Sequence, residues 1–173
     1  LVYIWVRFGS LRYSVAAIVA LVHDVTIALG LLAVSTIIGG TVFGAALLIE
    51  PFRIDLGVVA ALLTIIGYSL NDTIVVFDRI RENMKLRRKE SYRQVINRSI
   101  NECLSRTVLT SVTTFMVSLT LYILGGPVIH DFAFALSFGV IVGTYSSMFI
   151  ASPVLVFWYE HFIAERKRAG AEM

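Results

Sequence analysis

Long apolar runs separated by short polar segments dominate the chain. Four of these runs are long enough to cross the roughly 30 Å hydrocarbon core of a bilayer, which takes about 20 residues of α-helix. A shorter apolar run at residues 1–8 has the character of the end of a further span. The pattern therefore predicts an all-α fold, a polytopic transmembrane helix bundle, with complete spans at 13–36, 56–77, 104–124 and 132–159.

Polar or helix-breaking segments define the connections between the spans. Residues 37–55 are apolar but rich in glycine and contain Glu-Pro-Phe-Arg, which stops a helix, so we expect a connection that includes an interfacial helix. Residues 78–103 combine many charges with a partly apolar side, as in a helical hairpin at a membrane surface. A Gly-Gly-Pro sequence predicts a turn at 125–131, and residues 160–173 form a charged tail.

Composition supports the membrane interpretation, because 57% of the residues are hydrophobic, whereas soluble domains average roughly 45–50% apolar residues. The formal net charge is +3, and the positive residues occur in blocks between the apolar runs. With 78–103 and 160–173 in the cytoplasm and the other two connections in the periplasm, every Lys and Arg except Arg53 lies on or near the cytoplasmic side. The positive-inside rule favours this topology. The charged blocks therefore indicate orientation rather than nucleic-acid binding.

Few side chains in the sequence could hold a metal or a cofactor. The single cysteine, Cys103, cannot form an internal disulfide, and no Cys and His residues have the spacing of metal ligands. We therefore predict no metal site and no cofactor.

Asp72 lies on the apolar side of the boundary at which the second complete span meets charged sequence. An ionisable group at that depth costs about 3 kcal/mol on insertion scales, so it is rarely retained without a partner or a function. Thr64 and Tyr68 precede Asp72 at four-residue spacing and form one polar stripe with it on the helix. We expect the functional site at this stripe.

Arg106 is expected at a similar depth in the next span. Asp72 lies about 9 Å deeper than Asp78, and Arg106 lies about one helical turn into its own span from the same side. The two side chains can therefore share a polar pocket. The other expected members of this pocket are Tyr68, Asn71, Thr107 and Thr110.

Two interpretations of this pocket stay open. Desolvation and a nearby guanidinium act in opposite directions on a carboxylate, so movement of the arginine can change its protonation, as in a proton relay. Alternatively, Asp72 and Arg106 form a static ion pair that sets helix register. His23 and Asp24, near the middle of the first complete span, present the same choice between a functional pair and a polar couple that fixes packing.

Four segments resemble motifs of a known family. Residues 68–83 have the sequence YSLNDTIVVFDRIREN, and the sequences ALVHDV, LSRTVLTS and VGTYSSMFIASP occur at 20–25, 104–111 and 142–153. In this order they strongly resemble the motifs of SecF subunits in the SecD/SecF family of protein-export membrane proteins, part of the RND superfamily. The resemblance covers nearly the whole chain.

The resemblance implies an RND-like membrane fold and a role in protein export that is not enzymatic. Members of this family pair with SecD and use the proton gradient to help draw secreted proteins through the SecYEG channel after SecA has driven insertion. The further implied partners are YajC, YidC, the translocating preprotein and membrane lipid, without nucleic acid. The implied location is the bacterial inner membrane.

The resemblance also implies roles for two residues. The essential membrane aspartate of the family falls on Asp72 through its Asn-Asp-Thr context, and the essential arginine falls on Arg106 through its Leu-Ser-Arg-Thr context. SecD supplies another aspartate. In the family, a first span and a large periplasmic domain precede the matched region, which would make this chain a fragment. The apolar connection at 37–50 is longer than in related proteins.

Three other functions stay open. A proton-driven RND exporter of small molecules would also use an intramembrane carboxylate. Asp24 and Asp72 lie on adjacent spans and could share a proton, as in an intramembrane aspartyl protease, although Leu70-Asn71-Asp72 departs from the Gly-x-Gly-Asp motif of such enzymes. A purely structural subunit is the third alternative.

Overall fold

The structure, a computed structural model, describes residues 9–46, 48–49 and 55–163 of the chain. This part contains six α-helices, followed by a π-helical turn at Tyr159–Ile163. The helices are α1 (Leu11–Ile38), α2 (Val42–Ala46), α3 (Leu56–Leu86), α4 (Tyr92–Leu124), α5 (Pro127–Phe149) and α6 (Ala151–Trp158). The span end predicted at 1–8 and residues 164–173 of the predicted tail lie outside the described residues.

Four helical stretches of the described chain are long and apolar enough to cross a membrane. They are Leu11–Ile38, Leu56–Leu86, Tyr92–Leu124 and Pro127–His161. The short helix α2 lies in the connection between the first two of them. The predicted all-α transmembrane bundle with four complete spans is therefore confirmed.

Helices α3 and α4 are much longer than a bilayer requires. With 31 and 33 residues they measure about 46 and 50 Å, whereas the hydrocarbon core is roughly 30 Å thick. The charged sequence after residue 78 therefore extends both helices: it forms the end of α3 and the start of α4. Residues 87–91 join the two helices. Ser91 begins α4 with a capping box, because its hydroxyl accepts from the Gln94 N–H and the Gln94 side chain accepts from the Ser91 N–H.

The last membrane-length stretch begins and bends where its sequence requires. Gly126 has a φ of +75°, and Pro127 occupies the first turn of α5, so the helix starts earlier than the hydrophobic pattern predicts. Pro153 has no N–H to donate to the carbonyl of Phe149. The helix is accordingly interrupted at Ile150, between α5 and α6.

The most extensive helix contact joins α3 and α5, and both α1 and α4 pack against this pair. Gly139 lies directly against the side chain of Ile65, and Gly143 lies against Ser69. Small residues at such positions let two membrane helices approach closely. Close approach brings the polar residues of α5 within reach of α3.

A buried polar layer separates two apolar clusters. One cluster, near the end of α3, includes Phe77 and Leu155, and the other, near the start of α3, includes Val58 and Phe134. Between these levels, the buried residues of α3 include Ser69, Asp72 and Thr73. The buried carboxylate therefore lies in the middle of the bundle, among polar neighbours.

Replacement of Gly139 by alanine tests the α3–α5 contact. The added methyl group would overlap Ile65, and overpacking of this kind typically costs about 1–3 kcal/mol. We expect Gly139→Ala to lower the thermal unfolding midpoint of the detergent-solubilised protein. Gly30→Ala is the matched control, because nothing lies within 4 Å of the added methyl group there. Equal midpoints for the two variants would contradict the close contact.

Candidate functional site

Asp72 is held by hydroxyl groups from two neighbouring helices. Its side chain is 7% exposed. One carboxylate oxygen, Oδ1, accepts a 2.9 Å hydrogen bond from Thr107 Oγ1 on α4, and Oδ2 accepts a 2.6 Å hydrogen bond from Ser147 Oγ on α5. Three membrane helices therefore meet at this carboxylate.

The hydroxyl of Ser147 has a second acceptor within reach. Its Oγ lies 3.0 Å from the carbonyl oxygen of Thr144, one turn earlier in α5. A hydroxyl carries one proton, so Ser147 can donate either to Asp72 or to this carbonyl. The contact between α3 and α5 can therefore change its hydrogen bonding without leaving the Ser147 proton unpaired.

Asp24, on α1, occupies a separate polar site about one helical turn along α3 from Asp72. It is 1% exposed, and its Oδ2 accepts a hydrogen bond from Ser69 Oγ. His23 Nδ1 lies 3.0 Å from its Oδ1. The carboxylates of Asp24 and Asp72 thus bind different hydroxyl groups. No hydrogen-bond donor shared by both carboxylates, which would favour an aspartyl protease, is present among the described residues.

Tyr68 belongs to a second group of hydrogen-bonded hydroxyls, about one helical turn along α3 from Asp72. Its phenol donates a 2.9 Å hydrogen bond to Ser111 Oγ, which lies 2.6 Å from Thr144 Oγ1. Ser111 also lies 2.7 Å from the carbonyl oxygen of Thr107. This second group therefore links α3, α4 and α5 about one helical turn from Asp72.

Arg106 lies apart from Asp72 in the described structure. It is exposed, and the two side chains form neither a hydrogen bond nor an ion pair. The static ion pair considered above is therefore absent from this conformation.

An open cleft of about 650 Å³ lies between α3 and α4, and Arg106 is one of the residues that line it. Its inner residues, Val75 and Cys103, lie about one helical turn from Asp72 and Thr107. Charged side chains line the rest of the cleft, namely Asp78, Arg79, Arg81, Glu82, Lys85, Glu102 and Arg106. The cleft therefore connects a charged surface with the neighbourhood of the buried carboxylate.

Glu102 lies at the mouth of this cleft, before the span predicted at 104–124. Asn83, which is 2% exposed, donates hydrogen bonds to Ser99 Oγ at 3.0 Å and to Glu102 Oε2 at 2.8 Å. Arg79 Nε also donates to Glu102, at 2.6 Å. These hydrogen bonds, first that of Asn83 and then that of Arg79, hold the pKa of the Glu102 carboxyl below its ordinary value. They also tie the extended ends of α3 and α4 together.

Three of the residues predicted for the pocket lie on the exposed surface of α3 and α4. Thr64 Oγ1 donates to the carbonyl of Ala60 in its own helix, and Thr110 likewise bonds only to α4 carbonyls. Asn71 is also exposed. These polar side chains are therefore outside the hydrogen-bonded network around Asp72.

The sequence analysis did not assign Ser147, Ser69 and Thr144 to the site. The small residues of α5 suggested only close helix packing, and Gly143 does serve that purpose. The available signal in α5 was the pair of hydroxyl residues, Thr144 and Ser147, spaced one turn apart in a mainly apolar helix. That spacing places both hydroxyls on one face.

The comparison with protein families decides what kind of chain carries this site. The family model described as "Protein export membrane protein SecD/SecF, C-terminal" matches residues 1–161. The chain belongs to the SecD/SecF family. The resemblance seen in its motifs is thereby confirmed, and the chain is part of a multi-pass membrane protein.

Several SecD/SecF family members are similar over most of the chain. The protein translocase subunit SecF of Desulfurispirillum indicum is 52% identical over 164 residues, which make up 93% of this chain and 47% of that protein. SecF of Rhodothermus marinus is 48% identical over 170 residues, covering 98% of this chain and 52% of that protein. The chain spans about half the length of these curated relatives.

Solved structures of the SecD/SecF family share the fold. The crystal structure of SecDF from Thermus thermophilus matches with a TM-score of 0.78 and 44% identity, covering 92% of this chain and 20% of that one. A crystal structure of SecDF in a super-membrane-facing form matches with a TM-score of 0.80 and 45% identity, covering 97% of this chain and 21% of that one. The helix arrangement described here is therefore that of the family.

A double-mutant cycle tests the hydrogen bond between Thr107 and Asp72. Thr107→Val keeps the side-chain shape but leaves a buried carboxylate oxygen without its donor, which costs about 1–3 kcal/mol. We expect a lower thermal unfolding midpoint in detergent, and we expect most of that loss to vanish in an Asp72→Ala background. Thr113→Val is the control, because Thr113 bonds only within α4. A loss of the same size in both backgrounds would refute the contact.

Proposed function

We propose that the chain is the membrane part of a protein translocase subunit in which Asp72 couples proton movement to protein export. The observation that supports this proposal best is the state of Asp72: a buried carboxylate that accepts from two hydroxyl groups and has no ion-pair partner among the described residues. Ionisable residues in such positions commonly belong to proton pathways. The names of the related SecF translocase subunits support the export role.

Protonation of Asp72 would alter its contacts with α4 and α5. The ionised carboxylate only accepts hydrogen bonds, whereas the protonated group must also donate one. Ser147 can then turn its hydroxyl proton to the carbonyl of Thr144, which lies 3.0 Å away. A proton arriving at Asp72 would thereby weaken one link between α3 and α5 and favour a different helix packing.

Arg106 would set the protonation of Asp72 by moving. In the structure its guanidinium lies in the cleft, out of contact with the carboxylate. Approach of a guanidinium favours the ionised form of a carboxylate, and withdrawal favours the protonated form. The charged cleft would give the proton a watery route to within about one helical turn of Asp72.

The membrane potential can supply enough energy for such a cycle. One elementary charge moved across 100 mV is worth about 2.3 kcal/mol. That energy biases a two-state helix arrangement about fiftyfold. The bias is large enough to drive a domain attached to the moving helices.

We infer that SecD covers the exposed polar surface of α3 and α4. Lipid chains cannot satisfy the side chains of Asn71 and Arg106, so another membrane helix or water must do so. The two similar crystal structures are of SecDF, in agreement with such a partner. We further propose that the protein acts in the bacterial inner membrane. Its other proposed partners are the SecYEG channel, SecA, YajC, YidC and the preprotein.

Substitution of Asp72 and Arg106 in the full-length protein tests the coupling. We expect Asp72→Asn and Arg106→Met each to abolish the part of export that depends on the proton gradient, because each removes one member of the titrating unit. The double variant should be no worse than either single variant. Asp72→Glu should keep partial activity, since it still titrates. Export is measured in inverted vesicles after SecA action is exhausted, with and without an uncoupler.

Two charge-neutralising variants outside the site serve as controls. Asp55→Asn keeps the side-chain cap of α3, because asparagine caps helices as well as aspartate does. Arg88→Met removes an exposed cation from the turn between α3 and α4. Both controls should export like the wild type. Uncoupler-sensitive export by Asp72→Asn at the wild-type level would refute Asp72 as the proton site.

The orientation of the chain is a separate part of the proposal. The hairpin tip and the C-terminus are assigned to the cytoplasm, because the basic residues concentrate there. We expect a cysteine introduced at Lys89 to be shielded from impermeant thiol reagents in intact cells, and one introduced at Gly126 to react. Labelling at Lys89 from outside the cell would reverse the assignment.

A further inference from the structure

A second groove runs along the opposite side of α4, away from the site described above. It lies between α4 and the segment formed by the end of α5 and α6, and its volume is about 640 Å³. We call it the α4–α6 groove. Its walls include Asn97, Ile100, Asn101, Leu104, Ser152 and Phe157.

The groove is aligned with the membrane helices and therefore with the bilayer normal. Its outer end is marked by Arg93 and Glu160, which form two hydrogen bonds of 2.6 and 2.9 Å across it. Because the two helical segments run in opposite directions at 1.5 Å per residue, Ser152 lies at about the level of Asn101. Leu104, one turn deeper, is where the apolar part of α4 begins.

Polarity changes along the groove in step with depth. The outer half exposes the polar side chains of Asn97 and Asn101, whereas the inner half exposes Leu104 and Phe149, with exposed fractions of 40% and 57%. This gradient matches an amphiphile that stands upright in one leaflet, with its head toward water. An amphipathic helix bound at the surface would instead lie in the membrane plane.

At the boundary between these halves, one side-chain hydroxyl and one backbone carbonyl lack their usual hydrogen-bond partners. Ser152 is 0% exposed, and its hydroxyl has no hydrogen-bond partner among the described residues. Pro153 in turn deprives the carbonyl of Phe149 of its usual helical donor. Unsatisfied polar groups at membrane depth are costly, so an external partner at this level is favoured.

We propose that the α4–α6 groove is a binding site for one phospholipid molecule. Its acyl chains would lie against Leu104 and Phe149, and an ester oxygen at the hydrocarbon boundary would accept from the Ser152 hydroxyl. The amide groups of Asn97 and Asn101 would face the headgroup. Because Arg93 and Glu160 neutralise each other, the groove selects an amphiphile by shape and depth rather than by negative charge.

Lipid titration of the intact protein tests the proposal. The full-length protein, solubilised together with its membrane partners and stripped of loosely held lipid, is titrated with dioleoylphosphatidylethanolamine or dioleoylphosphatidylglycerol and examined by native mass spectrometry. We expect one saturable lipid per chain, with affinities for the two lipids that agree within about threefold. A preference for the anionic lipid of about tenfold or more, or no saturable binding, would overturn the proposal.

Two variants locate the bound lipid. Ser152→Ala should weaken binding about three- to tenfold, the loss expected for one hydrogen bond. Leu104→Trp should abolish binding by filling the inner groove. Leu109→Trp is the control for bulk on the same helix, because Leu109 is 66% exposed and does not line the groove; it should bind like the wild type.

A stability measurement separates this role from a merely structural one. Removal of an unsatisfied buried hydroxyl, as in Ser152→Ala, should not lower the thermal unfolding midpoint of the lipid-free protein. Ser152→Ala should therefore weaken lipid binding while the protein stays folded. Unchanged lipid binding in Ser152→Ala and Leu104→Trp, or release of a protein subunit by Leu104→Trp, would show that the groove is not a lipid site.

Discussion

The rest of the structure depends on the need to satisfy one carboxylate inside the membrane. Lipid offers no hydrogen-bond donors, so Asp72 on α3 must obtain its donors from neighbouring helices. It obtains them from Thr107 on α4 and Ser147 on α5. Gly143, one turn from Ser147, lies against Ser69 and allows the close approach that these short hydroxyl side chains require. The hydrogen bonding of the carboxylate therefore depends on the close packing of these three helices.

The separation of the buried carboxylate from the nearest cation gives this site its chemical character. An ion pair buried in a low dielectric would be difficult to break, since either charge left alone is costly. Hydroxyl partners do not require the carboxylate to stay charged, because a hydroxyl can donate to the ionised group or accept from the protonated group. Arg106 instead lines an open cleft and forms no ion pair with Asp72 among the described residues.

The long helices extend the influence of the site beyond the bilayer. α3 continues without interruption to Leu86, and α4 begins at Tyr92. Asn83 of α3 donates hydrogen bonds to Ser99 and Glu102 of α4 and so joins the two extensions. A change of helix packing at Asp72 would therefore be carried to the hairpin tip as a movement of stiff rods. The groove on the far side of α4 lies along the same helix.

The sequence by itself predicted the transmembrane helix bundle, the all-α fold and the family, and it singled out Asp72 as an ionisable residue inside a span. These inferences depend on local quantities: the length of an apolar run against the thickness of a bilayer, and one ionisable residue inside such a run. Only the tertiary structure decided which hydroxyl groups reach the carboxylate, because Ser147 lies 75 residues away from Asp72 along the chain and its rotation about the α5 axis is set by helix packing. For the same reason, depth along a helix brought Asp72 and Arg106 to one level but could not tell whether the two side chains touch.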